Sequence, residues 1–449
     1  MTIKTKFLFI AAGLYLLIAC SAKGFSQTTD KTWSLNDCIR YALEKNIQIQ
    51  QTQLTSQKKE IAGEQAKTDR YPSVSASVSQ NFGWNKTLDV KKNKYGDYSG
   101  SNNTGYSVNS SVTLFNGYKL KNTIKQSELE VNASRYDTQT TQENVSLNIL
   151  NAYLQVLYSE ELVKNSQKQI ESSEEQLRLA GERLHLGAIS QADYLQVKSQ
   201  LASEKLTLAN AQSQLSINKV TLMQLMELPV TSNFQIVHPD FGDSINQRRM
   251  PDAESIFRTA LAIKPQIKSA ELGLQSAQEN VTITKAGFLP QLSLNGGLST
   301  GYSSGLDGLG YGYQVGNKIN PSVGLSLSIP IYQNKQIRNQ VQTATIEVQS
   351  ATLTMSDTKN QLRKSIEQAC VDVTSAENEY EASREQYKAT FESYQVSSEK
   401  FDQGLLSSVD FLIQKTNLIE SESSFLQSKY KLIFSYKTLD FYSGIPLGL

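Results

Sequence analysis

Along this chain the spacing of apolar residues switches from helical to alternating and back, twice over. From Ser73 the sequence places Val74, Ala76, Val78, Phe82 and Trp84 on one side, with Ser73, Ser75, Ser77 and Ser79 on the other. That alternation predicts a strand with one apolar and one wet face. A partner follows, with Tyr106, Val108, Val112 and Leu114 opposed to Ser107, Asn109, Ser111 and Thr113. Further on, Leu292, Leu294, Leu298 and Tyr302 alternate with Ser293, Asn295 and Ser299, and Val323, Leu325, Leu327, Ile329 and Ile331 with Gly324, Ser326 and Ser328. Strands are expected at about residues 72–84, 105–115, 290–302 and 321–332, each pair joined by a polar, Gly-rich excursion at about 85–105 and 303–320.

The helical stretches carry heptads. Ile149, Val156, Val163, Ile170, Leu177 and Leu184 recur every seven residues, accompanied by the small residues Ala152, Ser159, Ser166, Ser173 and Ala180. The same pair of seams returns as Ile366, Val373, Tyr380, Tyr387, Tyr394 and Phe401 beside Ala369, Ala376, Ser383, Thr390 and Ser397. These predict coiled coils in which large residues pack over small ones. Return helices keep the period through Tyr194, Leu201, Leu208, Leu215 and Leu222, and through Phe411, Leu418, Phe425, Leu432 and Leu439. Turns are expected at Gly187 to Ser190 and Gly404 to Ser407, where Gly ends one helix and Ser caps the next.

The two series are copies. Arg40-Tyr41-Ala42-Leu43 aligns with Arg258-Thr259-Ala260-Leu261, and Pro72 with Pro290, at an offset of 218. Ala152 with Ala369, Gly187 with Gly404, Asp193 with Asp410 and Leu195 with Leu412 follow at 217. The chain reads as a first repeat at 27–229, a linker at 230–251 and a second repeat at 252–449, each running helix, strand, strand, very long helix, turn, helix.

Lys4 and Lys6 precede an apolar run from Phe7 to Ala19, too short to span a bilayer and suited to a secretory leader. Two processing readings are open: cleavage after Ser26, giving a leader at 1–26, or a lipobox at Leu17-Ile18-Ala19-Cys20, giving a leader at 1–19 and an acylated Cys20. Intact mass of the mature chain separates them.

Composition narrows the chemistry. Charged residues make up only 19% of the 449 positions and apolar ones 39%, so Ser, Asn, Gln and Thr fill the difference. The 44 basic and 43 acidic residues leave no basic footprint for nucleic acid, and removal of Lys4, Lys6 and Lys23 with the leader brings the chain to a net −2. Two His, three Cys and five Met offer little for a metal centre or a disulfide framework, and no cofactor is expected. Cys38 and Cys370 are not repeat equivalents and are expected as core residues not bridged to each other; His185 and His238 lack a helical partner, and Gly305 to Gly310 lacks the Lys-Ser/Thr of a phosphate loop. Nothing pairs a nucleophile with a base, so an enzyme is not expected. The strands alone would suit a soluble sandwich, but strands of about ten residues with an apolar outer face and aromatic ends suit a membrane barrel, and four cannot close one alone.

The duplicated order resembles the TolC family of bacterial outer membrane factors. The likeness rests on Leu35-Asn36-Asp37-Cys38-Ile39-Arg40-Tyr41-Ala42-Leu43, on the tips Gly187/Asp193/Leu195 and Gly404/Asp410/Leu412, and on the turns Leu114-Phe115-Asn116-Gly117 and Pro330-Ile331-Tyr332-Gln333-Asn334. It implies a mainly α chain with a membrane β-barrel portion: a homotrimer whose four strands per chain make a 12-stranded barrel in outer membrane lipid, above a coiled-coil periplasmic tunnel. Such a duct passively exports cargo from an inner membrane transporter, of RND or ABC type, through a periplasmic adaptor. Adaptor contact is then expected at Gly187, Ala188, Ser190, Gly404, Leu405 and Ser407, and a pore constriction at Asp410 and Asp193, with capping of the return helix the competing reading for both aspartates. The family gate's tyrosine and arginine fall on Phe401 and Leu406, which cannot make that polar latch, so a closed tip must rest on packing or other pairs. A trimeric adhesive stalk anchored by a barrel is the competing reading; stalks place one barrel domain at one end, whereas here hairpins lie between helices in both halves.

Overall fold

Residues 32–89, 93–230, 233–239, 252–306 and 308–448 are described by a computed structural model. The leader with Cys20, most of the linker and residue 307 lie outside them. The chain enters through β1 (Thr32–Trp33), which pairs in parallel with β4 (Gln235–Ile236). Ser34 caps α1 (Leu35–Lys45) by accepting from the Asp37 backbone N–H. Asn46 then turns extended, and its side chain accepts from the Gln48 and Ile49 N–H groups to start α2 (Ile47–Thr68). At the corresponding place Lys264 separates α5 (Ala253–Ile263) from α6 (Pro265–Lys285). There the following proline disfavours helical backbone at Lys264.

The heptads become α3 (Lys119–His185) and α8 (Gln336–Asp402), each 67 residues. At 1.5 Å per residue each is a rod of roughly 100 Å. Each returns through a 35-residue helix, α4 (Gln191–Leu225) and α9 (Ser408–Tyr442). The small seam of α3 is buried at all five positions, whereas Val163, Leu177 and Leu184 of the large seam are only half-buried. The packing differs from the expectation of large over small, because like meets like. Ser383 and Thr390 of α8 share hydrogen bonds of 2.6 Å with Ser428 and Ser421 of α9. Between those layers Tyr387 stacks on Phe425 with rings 5.5 Å apart. Small side chains bring the two backbones close and their hydroxyls then pair, which leaves the aromatic layers to fill the wider intervals.

The four-stranded antiparallel sheet runs β2 (Ser73–Asp89), β3 (Lys94–Phe115), β5 (Gln291–Ser303), β6 (Asn320–Ser328). Here the expectation of four similar strands is corrected. The polar stretch assigned to an excursion at 85–105 is mostly strand, paired from Asn85 with Ser99 to Asp89 with Lys94. Asn81, Gly83, Asn85, Ser99, Ser101 and Asn103 line one face of a continuing ladder, with Gly100 and Asn102 across from Trp84 and Phe82 on the other, so these residues do not mark a turn. The second excursion holds the short helix α7 (Tyr311–Asn317), tied down by the buried Gln314 side chain, which accepts from the Ser303 N–H and donates to the Ser303 and Leu309 carbonyls. Val74, Val78, Leu298, Val323 and Leu325 are all exposed, so among the described residues nothing covers this stretch of the sheet's apolar face. Among the described residues no helix is long and apolar enough to cross a membrane.

Cys38 and Cys370 are buried in different apolar clusters, the first built on α1, α3 and α4, the second on α5, α6 and α8. The two halves meet through buried charge. Lys415 of α9, 3% exposed, lies 3.1 Å from Glu204 of α4. Ser173 of α3 bonds both of them, and Gln176 accepts from the ammonium at 3.2 Å. Burial, offset by Glu204, pulls the Lys415 ammonium below the usual lysine range. A second crossing joins Lys264 to Glu143 of α3 at 3.1 Å, with the ammonium 3.2 Å from the centre of the Phe441 ring. A buried charge stripped of its partner is costly, whereas replacing both members is often neutral. Lys415→Met is therefore expected to cost about 3–5 kcal/mol, and Lys415→Met with Glu204→Leu to regain most of it, as read by thermal unfolding of the detergent-purified protein.

Candidate functional site at the helical tips

Each long helix stops at a glycine that adopts a conformation other residues avoid. Gly187 has φ +67° and Gly404 φ +74°. At the first tip the Gly187 N–H reaches the Leu184 carbonyl at 3.0 Å and the Ala188 N–H that of Arg183 at 2.8 Å. At the second, Gly404 bonds Phe401 at 3.0 Å and Leu405 bonds Lys400 at 2.8 Å. These paired bonds satisfy the last carbonyls of each helix and need a left-handed residue between them. The return helix starts three residues later on a serine.

Ser190 accepts from the Asp193 N–H at 3.1 Å, and the Asp193 carboxylate takes the Ser190 hydroxyl at 2.6 Å and its backbone N–H at 3.2 Å, closing a reciprocal capping box. Those bonds from Ser190, with a smaller one from Ser408 on the other hairpin, hold the Asp193 carboxyl below the usual carboxylate range. At the second tip the Asp410 N–H donates to the Ser407 oxygen at 3.1 Å and the Ser407 hydroxyl donates to the Asp410 carboxylate at 2.7 Å. Both aspartates therefore cap helices; Asp193 is half-buried, whereas Asp410 is exposed, as are Ala188, Ser190, Leu405 and Ser407. The tips present four short polar side chains, two glycine corners and, at Leu405, an apolar side chain in solvent.

Arg183, in the last turn of α3, ties the tips together and was not singled out by sequence. Its guanidinium donates to the carbonyls of Phe401 at 3.2 Å and Asp402 at 3.0 Å, lies 3.7 Å from the Asp402 carboxylate, and sits 5.4 Å from the centre of the Phe401 ring. A cation thus serves the carbonyl end of α8, where the helix dipole is negative. Phe401 in turn stacks on Phe411 with centroids 4.5 Å apart and planes 11° from parallel. Phe401 thus enters the polar contact between the two tips through its main chain and the apolar one through its ring. The sequence signal was faint, because a basic residue ending a helix is ordinary, and the residue matching Arg183 in the second copy is Lys400. His185 is exposed beside this cluster. Among the described residues no three His, Cys, Asp or Glu side chains come together to hold a metal.

Comparison with known proteins places this architecture. The family model described as outer membrane efflux protein matches residues 38–227 and again residues 256–444. The outer membrane efflux protein BepC of Brucella suis biovar 1 (strain 1330) is 22% identical over 347 residues, covering 77% of this chain and 72% of BepC. Toxin and drug export protein A of Aggregatibacter actinomycetemcomitans is 20% identical over 406 residues, covering 90% of this chain and 84% of that protein. Among solved structures, the CmeC outer membrane channel of Campylobacter jejuni shares the fold, with a TM-score of 0.76 at 20% identity over 94% of this chain and 90% of that one. Since the family model takes in both long-helix hairpins and all four strands of the large sheet, the chain belongs to the outer membrane efflux protein family.

Proposed function

We propose that this chain is one third of an export duct of the outer membrane, a duplicated wall segment that passes cargo from an inner membrane pump and a periplasmic adaptor to the exterior. The observation that carries the reading is the sheet. Most of its apolar face is left uncovered, its other face is Ser, Asn and Gly, and among the described residues both edge strands, β2 and β6, lack a partner. In lipid, backbone groups at an open edge have nothing else to bond, so the sheet must close. Three copies supply twelve strands, with the wet faces lining the lumen and the helix pairs extending as a tunnel into the periplasm.

The relatives' names support export as the activity: BepC is an efflux protein, and the Aggregatibacter protein exports toxin and drugs. Conduction through such a wall needs no reactive group. Selectivity arises where the lumen narrows, and a threefold ring of carboxylates there favours cations. Asp410 is exposed at the tip and supplies that ring, while its own hydrogen bond holds the start of α9. Gly187, Ala188, Ser190, Gly404, Leu405 and Ser407 form the surface offered to the adaptor.

Purified in detergent, the protein is expected to show three times the chain mass by native mass spectrometry and stepwise conductance in planar bilayers; a non-conducting monomer overturns the duct. Asp410→Asn is expected to reduce cation over anion preference in reversal-potential recordings while leaving trimer mass unchanged. Identical reversal potentials remove Asp410 from the constriction.

A further inference from the structure

The first ribbon outgrows the sheet. Pairing of β3 with β5 ends at Asn103 with Ser303, and β6 has only nine residues, yet β2 and β3 stay paired to Asp89 and Lys94. About eight rows of ribbon therefore stand alone, roughly 25 Å along the strand at 3.3 Å per residue. A free two-stranded ribbon is only marginally stable in water, so its exposed side chains matter.

Cross-strand partners share a face, and following that face outward gives an ordered change in chemistry. It begins with Val74, then Ala76 beside Val108 and Val78 beside Tyr106. The Tyr106 hydroxyl bonds that of Tyr311 at 2.6 Å, and Tyr302 packs on Tyr311, forming an aromatic level. One row higher is polar: Thr104 donates to the Gln80 side chain at 2.6 Å, and Gln80 bonds Asn102. Above that the same face turns aromatic and basic, with Phe82, then Trp84 across Gly100, then Lys86 across Tyr98. Gly100 leaves the indole room to lie flat, since a Cβ there would sit 3.3 Å from Trp84 Nε1. The Lys86 ammonium lies 4.8 Å from the centre of the Tyr98 ring. Trp84 is 69% and Tyr98 71% exposed. By sequence, residues 86–97 hold four lysines against two aspartates.

Resting on the barrel reading, we infer that the Trp84, Lys86 and Tyr98 face of this ribbon docks the anionic sugar headgroups of outer-leaflet glycolipid. The face continues the lipid-facing side of the barrel without interruption, so its neighbours above the acyl chains are headgroups of the lipids below. Flat, amphipathic rings suit the apolar faces of sugars, and amine groups suit their phosphates. The opposite face, Asn81, Gly83 and Asn85 with Ser99, Ser101 and Asn103, turns to the lumen and offers neither.

The chain has two tryptophans, so Trp33→Phe leaves Trp84 as the only indole. The full assembly is placed in vesicles of phospholipid alone or with lipopolysaccharide in the outer leaflet, and Trp84 emission and acrylamide quenching are read beside conductance. Should Trp33→Phe fail to fold, the wild-type signal minus that of Trp84→Phe gives the same reading. Lipopolysaccharide is expected to shift Trp84 emission to the blue and abolish most quenching, and Lys86→Glu with Tyr98→Ser to lose that protection with conductance intact. Conducting protein equally quenched in both vesicles overturns the docking and leaves the duct standing. Protection by soluble, deacylated saccharide in vesicles of phospholipid alone overturns the assignment to membrane glycolipid. Protein that neither inserts nor conducts sinks both.

Discussion

A strand edge is a row of N–H and C=O groups that must bond to something, and this chain carries two such edges, on β2 and β6, bordering an apolar face. In water those edges would recruit strands indiscriminately. In lipid they would be left without partners at a cost of several kcal/mol each. Closure with other copies relieves both problems, and it also fixes the rest of the molecule. Both helix pairs, α3 with α4 and α8 with α9, hang from one end of the sheet, so on the proposed closure each copy that joins the strands brings two hairpins to the wall below. The left-handed Tyr118 and Lys335, which open α3 and α8, make that junction abrupt, turning the chain from sheet to rod within a few residues.

The rods have their own constraint, since walls about 100 Å long must keep register. Alternating layers do this without a thick core. Small hydroxyl residues let backbones approach and hydrogen-bond across the gap, and aromatic pairs such as Tyr387 with Phe425 fill the next interval. Sliding one helix by three or four residues would set hydroxyls against rings and break both sets of contacts. Register is therefore written into the difference between layers more than into the strength of any one contact.

Much of this was legible in sequence, for a physical reason. A heptad held through six positions in each copy and a serine-valine alternation are long, redundant signals, and a glycine followed by a capping serine marks a turn whatever surrounds it. The ribbon beyond Trp84 was missed because Asn, Ser and Gly serve equally as turn residues and as strand residues, and only pairing tells them apart. Arg183 and the Glu204–Lys415 pair were missed for another reason. On a long amphipathic helix a charge usually faces water, and nothing local reveals that a second hairpin covers it.

Those two missed features explain how the halves can be copies and yet not interchange. Ser173 and Glu204 of the first half match Thr390 and Ser421 of the second at the same offset, and the second pair is a plain hydroxyl contact. Replacing one serine position with glutamate creates a buried charge that only a cation from outside its own hairpin neutralises, and Lys415 is that cation. Its match in the first half, Lys198, is exposed. Buried ion pairs add little to stability, but a mismatched one is heavily penalised. The pair therefore selects one arrangement, α4 against α9, and rejects the swapped one, which would bury Glu204 alone. Arg183 does the same at the tip, where α8 offers it two carbonyls and a carboxylate. A duplicated wall thus acquires direction from a few charges placed where the copies differ.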